Sequence, residues 1–311
     1  METLDWIIMG AKVGLVVFVM LQVVPIMVWI ERRGSALMQN RLGPNRVGPL
    51  GLFQSLADVV KFIAKEDFVP DHVEKFYFLL APVVLLMPAF MSFAVIPFAG
   101  DIKIGDRLVH MQMADLNVGI LYVLSIASLG VYGIIMAGWS SNNKYSLLGS
   151  LRSSAQMISY ELSLGLSIIG MVMVYGSLDL KDMVAFQNGT IFGVLPKWGV
   201  LLQPLGFIIF LTSSYAETNR LPFDLPEGES EIVAGYHTEY GSMKFALFFM
   251  AEYMNMVTAS ALVTTMYFGG YLMLPGMSYL VDPIAGVLSH VITTNPADWA
   301  RVLLEGTSFT I

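Results

Sequence analysis

Between Glu217 and Tyr240 the chain reads ETNRLPFDLPEGESEIVAGYHTEY, a stretch that sets six carboxylates, Glu217, Asp224, Glu227, Glu229, Glu231 and Glu239, against one arginine, Arg220. Ionising so many acids side by side becomes costly wherever the dielectric falls below that of water, so such a group titrates as a coupled set and holds some of its protons near neutral pH. Chemistry of that kind is proton handling. A plain solvated acidic loop has the same composition, but two further acids, each inside an apolar segment next to this stretch, weigh against it.

Glu161, in SSAQMISYELSLGLS, lies nine residues past Arg152, about 14 Å along a helix. Glu252, in FFMAEYMNM, lies eleven residues past Gly241, about 16 Å along its own helix. Both distances reach the middle depth of a bilayer, where a charge costs about 2.5–3.5 kcal/mol even on lenient scales. Acids at that depth usually face a wet cavity and mark a proton or ion path; the alternative is a protonated carboxyl bonded between helices for packing alone. Glu161 shares its helical stripe with Gln156, Tyr160, Ser163 and Ser167, and Asn255 follows Glu252 by one turn.

The elements that must hold these acids are membrane helices. The 311 residues are 56% hydrophobic and only 13% charged, with a mean hydropathy of +0.67, which defines a polytopic all-α membrane protein rather than a water-soluble globule. A helix needs about 20 apolar residues to cross the hydrocarbon layer. Six stretches of that kind run over 6–30, 76–98, 115–138, 154–175, 198–215 and 241–270, and a weaker one over 272–292 is interrupted by Pro275, Gly276, Asp282 and Pro283. The chain reads as one integral-membrane domain, 1–311, with major loops at 31–75, 139–153 and 216–240. The first segment has no basic leader or small-residue cleavage site and is expected to stay as an anchor.

The odd-numbered connections carry Arg32, Arg33, Arg41, Arg46, Lys61, Lys65, Lys75, Lys144, Arg152, Arg220 and Lys244, against Lys103, Arg107, Lys181 and Lys197 in the even ones. The positive-inside rule therefore puts the acidic stretch on the cytoplasmic side and the N-terminus outside. The absence of cysteine excludes disulfides and thiolate-held zinc or iron–sulfur clusters within this chain. Its four histidines, His72, His110, His237 and His290, make no ligand-spaced pair, so a resident metal is not expected. No glycine-rich phosphate loop follows a strand pattern, and nothing points to nucleic acid.

The first loop is more than a linker. Gly43-Pro44-Asn45 and Gly48-Pro49 punctuate it as turns. Beyond them Leu52, Leu56, Val59 and Ile63 recur on one helical face, with Gln54, Asp58, Lys61 and Lys65 on another. An amphipathic helix of this kind lies in the membrane interface.

Three blocks, WIERRGSALMQNRLGPNRVGPLGLFQSLADVVKFIAKED, SSAQMISYELSLGL and AETNRLPFDLPEGESEIVAGYHTEYGSMKFALFFMAEYMNM, closely resemble the H-subunit family (subunit 1 in mitochondria) of proton-pumping NADH:quinone oxidoreductase, respiratory complex I. The likeness spans about 6–270. It implies a non-redox subunit of a bacterial inner-membrane translocase with six to eight transmembrane helices and an interfacial helix. Such a subunit forms much of the quinone chamber with two peripheral subunits, which carry the terminal iron–sulfur cluster, and sits beside small membrane subunits and antiporter-like ones. Carried over residue by residue, the resemblance points to Arg32, Arg41, Asp58 and Phe62 at the quinone access. It points to Glu161, Glu217, Asp224, Glu227, Glu229, Glu231, Glu239 and Glu252, with Arg220 among them, as an acidic proton path. It implies no catalytic residue and no cofactor bound by this chain alone, quinone being a substrate at the interface.

The family usually ends with an arginine-rich loop and a last membrane helix, whereas only Arg301 follows Gly270 here. A truncated or divergent end is the expectation. Two rival readings remain at this level. The matching subunit of membrane-bound hydrogenases shares the fold and acid path without the quinone, and the ERR and QSLADVVKF blocks favour the quinone version. An ion-coupled secondary transporter is the rival from another class, although its usual internal repeat is missing.

Overall fold

A computed structural model of the protein describes residues 3–272, except 105–106, 192–194 and 225. Ten α-helices fall in that range, and five of the helical stretches are long and apolar enough to cross a membrane. The first, α1 (Thr3–Met38), runs unbroken past Arg32 and Arg33, well beyond the expected end near residue 30. The reason is local: Glu31, Arg32, Arg33, Ala36, Leu37 and Met38 are mostly good helix formers, and the first breakers are Asn40, at φ 53°, and the Gly43-Pro44 turn.

Helix α2 (Gln54–Ala64) is the amphipathic segment of the first loop. It lies with its apolar side outward. Leu56, Val59, Val60 and Ile63 are exposed, while Ser55 is buried and its Oγ donates to the Pro25 carbonyl of α1 at 2.8 Å. A water-soluble domain would turn this helix the other way; an apolar outer face suits the membrane interface. Ser242 ties the far end of α2 down, its Oγ donating to the carbonyls of Phe62 (2.9 Å) and Lys65 (3.1 Å).

The bundle proper consists of α3 (Lys75–Met91), α4 (Gly119–Ser140), α5 (Lys144–Tyr175), α8 (Pro204–Glu217) and α10 (Ser242–Tyr267). Helix α3 packs on α4 and α10, and α5 packs on α4 and α8. Lipid tails are as apolar as leucine, so burial alone does not drive helices together in a bilayer; close approach through small residues does. Glycines supply it here. A Cβ on Gly133 of α4 would fall 2.8 Å from the Leu85 backbone of α3, and one on Gly138 would run into the Ser150 side chain of α5. Two short antiparallel hairpins complete the connections, β1 (Ile102–Ile104) with β2 (Arg107–Val109), and β3 (Thr190–Ile191) with β4 (Leu195–Pro196).

Two expectations are corrected. Helix α5 begins at Lys144, where Asn143 caps it by accepting from the Tyr145 backbone N–H, and not near 154. Its first three turns carry Ser146, Ser150, Arg152, Ser153 and Ser154, polar positions that hide from a hydropathy reading; Ser146, Arg152 and Ser153 dock on the acidic loop. Glu161 accordingly sits about 25 Å from the helix start rather than 14 Å. The segment 198–215 is divided: α7 (Gly199–Leu202) ends at Gln203, at φ −142°, and α8 starts with Pro204 and continues to Glu217. A residue before proline is pushed out of the helical region, which places the break. Between α5 and α7, α6 (Leu180–Gln187) is capped by the Asp179 side chain, which accepts from the Lys181 N–H at 2.9 Å. Helix α9 (Glu229–Ile232) is a single turn within the acidic loop. The weak segment 272–292 and the expected divergent end lie outside the described residues except for Leu272.

Candidate functional site

The acidic loop is bolted to α5. Gln156 Nε2 donates to the carbonyls of Ala216 (2.9 Å) and Phe223 (2.8 Å) and to Asn219 Oδ1 (3.2 Å), and Asn219 Nδ2 donates to Ser153 Oγ (3.2 Å). Further on, Ser146 Oγ donates to the Tyr236 carbonyl (3.1 Å). At the same contact a Cβ on Gly149 would meet Gly235 Cα at 2.5 Å and the Tyr236 nitrogen at 2.9 Å. Gly235 adopts φ 58°, and a Cβ there would collide with the Pro226 carbonyl oxygen. Only glycine fits both demands. The turn it makes delivers Tyr236 and His237 into the bundle.

Tyr236 is fully buried, and its hydroxyl donates to Glu252 Oε1 at 2.7 Å. Glu252 of α10 is itself only 8% exposed, and Glu227, Asp224 and Arg220 lie within electrostatic reach of it. His237, 3% exposed, places Nε2 3.5 Å from Glu227 Oε1 and packs against Tyr236 with ring centroids 3.9 Å apart and the rings tilted by 36°. Burial pushes the imidazole pKa down to about 4, against the opposite pull of its bond with the Ala234 carbonyl, so the ring is neutral at physiological pH.

A second arm of the network leads to the first loop. Tyr253, next to Glu252, donates its hydroxyl to Glu31 Oε2 at 2.5 Å. Arg220 NH1 lies 3.4 Å from Glu31 Oε1, and the guanidinium sits 4.4 Å above the Tyr253 ring. Glu31 adjoins Arg32, which is paired with Asp58 of α2. Arg32 and Arg41 together line a cavity of about 430 Å³ with Leu42, Gly43, Pro44 and Gln54. Phe62, one turn past Asp58, is half-buried with its ring 6.4 Å from that of Phe245. Thus Arg32 and Arg41 line one cavity, Asp58 is joined to it through its pair with Arg32, and Phe62 stands apart at the junction of α2 with α10.

The remaining acids divide. Glu217, the last residue of α8, is within electrostatic reach of Glu161, and both are half-buried. Glu231 is 62% exposed and paired with Arg152 at 2.8 Å, and Glu239 accepts from Asn143 Nδ2 at 2.6 Å with His72 at 3.8 Å. These two fasten the loop from outside rather than joining the buried network. The side chain of Glu229 lies outside the described residues. Sequence reasoning missed Glu31, Tyr236 and Tyr253. Glu31 had a visible signal, an acid at the end of an apolar run beside two arginines; the tyrosines are lost among the many aromatic residues of the spans.

Five long apolar helices packed through glycines around a network of acids, tyrosines and one arginine define a polytopic all-α membrane protein. The sequence model of the family described as NADH dehydrogenase matches residues 11–302, and the chain belongs to that family. It is 52% identical over 272 residues to an H subunit of the NADH-quinone oxidoreductase of Koribacter versatilis, covering 84% of this chain and 76% of that protein. It is 48% identical over 282 residues to the corresponding H subunit of Bdellovibrio bacteriovorus (84% and 73%), and 50% identical over 268 residues to one from Geobacter sulfurreducens (86% and 79%).

Proposed function

We propose that this chain is the H subunit of a proton-translocating NADH:quinone oxidoreductase, a non-redox membrane-arm component that couples quinone reduction next to it to proton movement through its carboxylates. The observation that carries the coupling is the succession of polar groups from the Arg32–Arg41 cavity, through Glu31, Tyr253 and Arg220, to the buried Glu252 and Tyr236 and to Glu227 of the loop beside them. Electrons arrive on a neighbouring protein, and reduction of a quinone at the cavity adds negative charge at one end of this file. The change in field draws protons toward the clustered loop carboxylates and releases them when the charge is neutralised. Arg32, Arg41, Asp58 and Phe62 are the proposed quinone-access residues. Glu161, Glu217, Asp224, Glu227, Glu229 and Glu252, with Arg220, are the proposed path, and Glu231 and Glu239 hold the loop in place beside it. The names of the relatives favour this reading over a hydrogenase component or a stand-alone transporter.

The reading also requires assembly with peripheral iron–sulfur subunits, small membrane subunits and antiporter-like subunits in a bacterial inner membrane, N-terminus outward. Purification of the tagged chain in mild detergent tests it. Co-elution of iron–sulfur and antiporter-like subunits, with NADH:quinone reductase activity and labelling of residues 32–62 by a photoreactive quinone, is the expected result. An active chain eluting alone would refute it.

A further inference from the structure

We infer that Glu227, His237 and Glu252 form a binding site for a divalent transition-metal cation of the zinc class, at the point where the acidic loop meets α10. The donor atoms of the three side chains all lie within 4.8 Å of one another. They are one imidazole and two carboxylates, with no sulfur, a set that suits zinc and its neighbours better than calcium or magnesium.

The second observation is the histidine itself. His237 Nδ1 lies 2.9 Å from the Ala234 carbonyl oxygen, which can only accept, so Nδ1 carries the proton. Nε2 is then a bare lone pair; it is buried and has no hydrogen-bond partner among the described residues. It faces Glu227 Oε1 at 3.5 Å, also an acceptor when ionised. Two acceptors facing each other where one is buried are favourable only with a proton or a cation between them. A histidine whose Nδ1–H is held by a carbonyl while Nε2 points at carboxylates is the usual outer-shell arrangement of a metal ligand.

The remaining ligands are supported in the same way. The Tyr236 hydroxyl holds Glu252 by its Oε1, and the imidazole is fixed by a tilted contact with Tyr236 and by stacking on Phe249, with centroids 5.8 Å apart. Tetrahedral zinc with bonds of about 2.0–2.2 Å sets its ligands about 3.3 Å apart, so the side chains must draw together by up to about 1.5 Å. Glu227, whose side chain is 27% exposed, supplies the way in. Arg220 and Asp224 are the charged neighbours; the arginine opposes a cation, and the aspartate favours one. The site is therefore expected to take metal reversibly rather than retain it, bridging the loop to α10 when filled.

The test uses the purified whole complex and zinc chloride. Bound zinc is counted by equilibrium dialysis for the native complex and for His237→Gln and Glu227→Gln, with assembly checked on native gels. In parallel, zinc inhibition of NADH-driven proton uptake is followed in inverted vesicles, each variant against its own zinc-free rate. The native complex is expected to bind one zinc more than either variant, or to bind that zinc at least tenfold more tightly, and to show zinc absorption fine structure of one imidazole with oxygen ligands. Should one variant fail to assemble, the other carries the comparison. Equal zinc stoichiometry and affinity in the native complex and in an assembled variant would overturn the site. Zinc bound there without slowing proton uptake would leave the site standing and count against the proposed proton path alone.

Discussion

The contact between Gly149 and Gly235 allows a sharp test of whether the acidic loop must be clamped to α5. In Gly149→Ala, the new Cβ falls 2.5 Å from Gly235 Cα, 2.7 Å from its carbonyl carbon and 2.9 Å from the Tyr236 nitrogen, all of them backbone atoms that cannot swing away. An ordinary carbon–carbon contact is about 3.5–4.0 Å, so the loop must retreat by roughly 1 Å. That retreat stretches the 2.7 Å bond between Tyr236 and Glu252 and the 3.1 Å bond from Ser146 to the Tyr236 carbonyl. Overpacking of this sort costs about 1–3 kcal/mol, a fall of about 5- to 150-fold in the ratio of docked to undocked loop. Gly165, on the same helix, has nothing within 4 Å of an added Cβ, and Gly165→Ala gains the same helix propensity of about 1 kcal/mol without a collision. The difference between the two variants isolates the clamp. Reductase rate with a short-chain quinone, and proton pumping measured by fluorescence quenching in inverted vesicles, should fall at least fivefold in Gly149→Ala and stay within twofold in Gly165→Ala. Equal activity in two assembled variants would refute the reasoning.

Three other substitutions probe the rest of the network. Tyr236→Phe removes a buried donor from a carboxyl group, a loss of about 1–3 kcal/mol, and should slow pumping severalfold in a complex that still assembles; unchanged pumping would remove Tyr236 from the network. Ser242→Ala deletes both bonds that tie α2 to α10 and should raise the KM for quinone severalfold with kcat largely kept, read from steady-state kinetics. Asp58→Asn breaks the pair with Arg32. Because both partners are partly exposed, assembly should weaken by less than about 1 kcal/mol, while the quinone reductase rate falls more steeply than thermal stability by differential scanning.

How far the sequence reveals this site depends on whether a feature is periodic, local or assembled across the fold. The interfacial helix was legible because Leu52, Leu56, Val59 and Ile63 repeat on one face. Glu252 and Glu161 were legible because a carboxyl group inside an apolar run is expensive and rare. The start of α5 was not, since its first turns are polar, nor was the division at Gln203, which a hydropathy window averages away. Least visible were contacts between distant positions. Nothing local links Glu31 to Tyr253, Gly149 to Gly235, or His237 to Glu252; α1 packed on α10 joins the first pair, and a helix packed on the acidic loop joins the other two. Within the acidic loop, the even density of charge hid the division between inward groups such as Glu227 and outward fasteners such as Glu231 and Glu239.

Proton-to-electron stoichiometry in Glu252→Gln and Glu161→Gln complexes tests the central claim most directly. Glutamine keeps the size and hydrogen bonding of each side chain but cannot carry a proton. Quinone reduction and vesicle acidification would be measured in the same preparation. The account predicts that acidification falls at least tenfold in Glu252→Gln and markedly in Glu161→Gln while the complex remains assembled. Full pumping at an unchanged stoichiometry in both variants would contradict it.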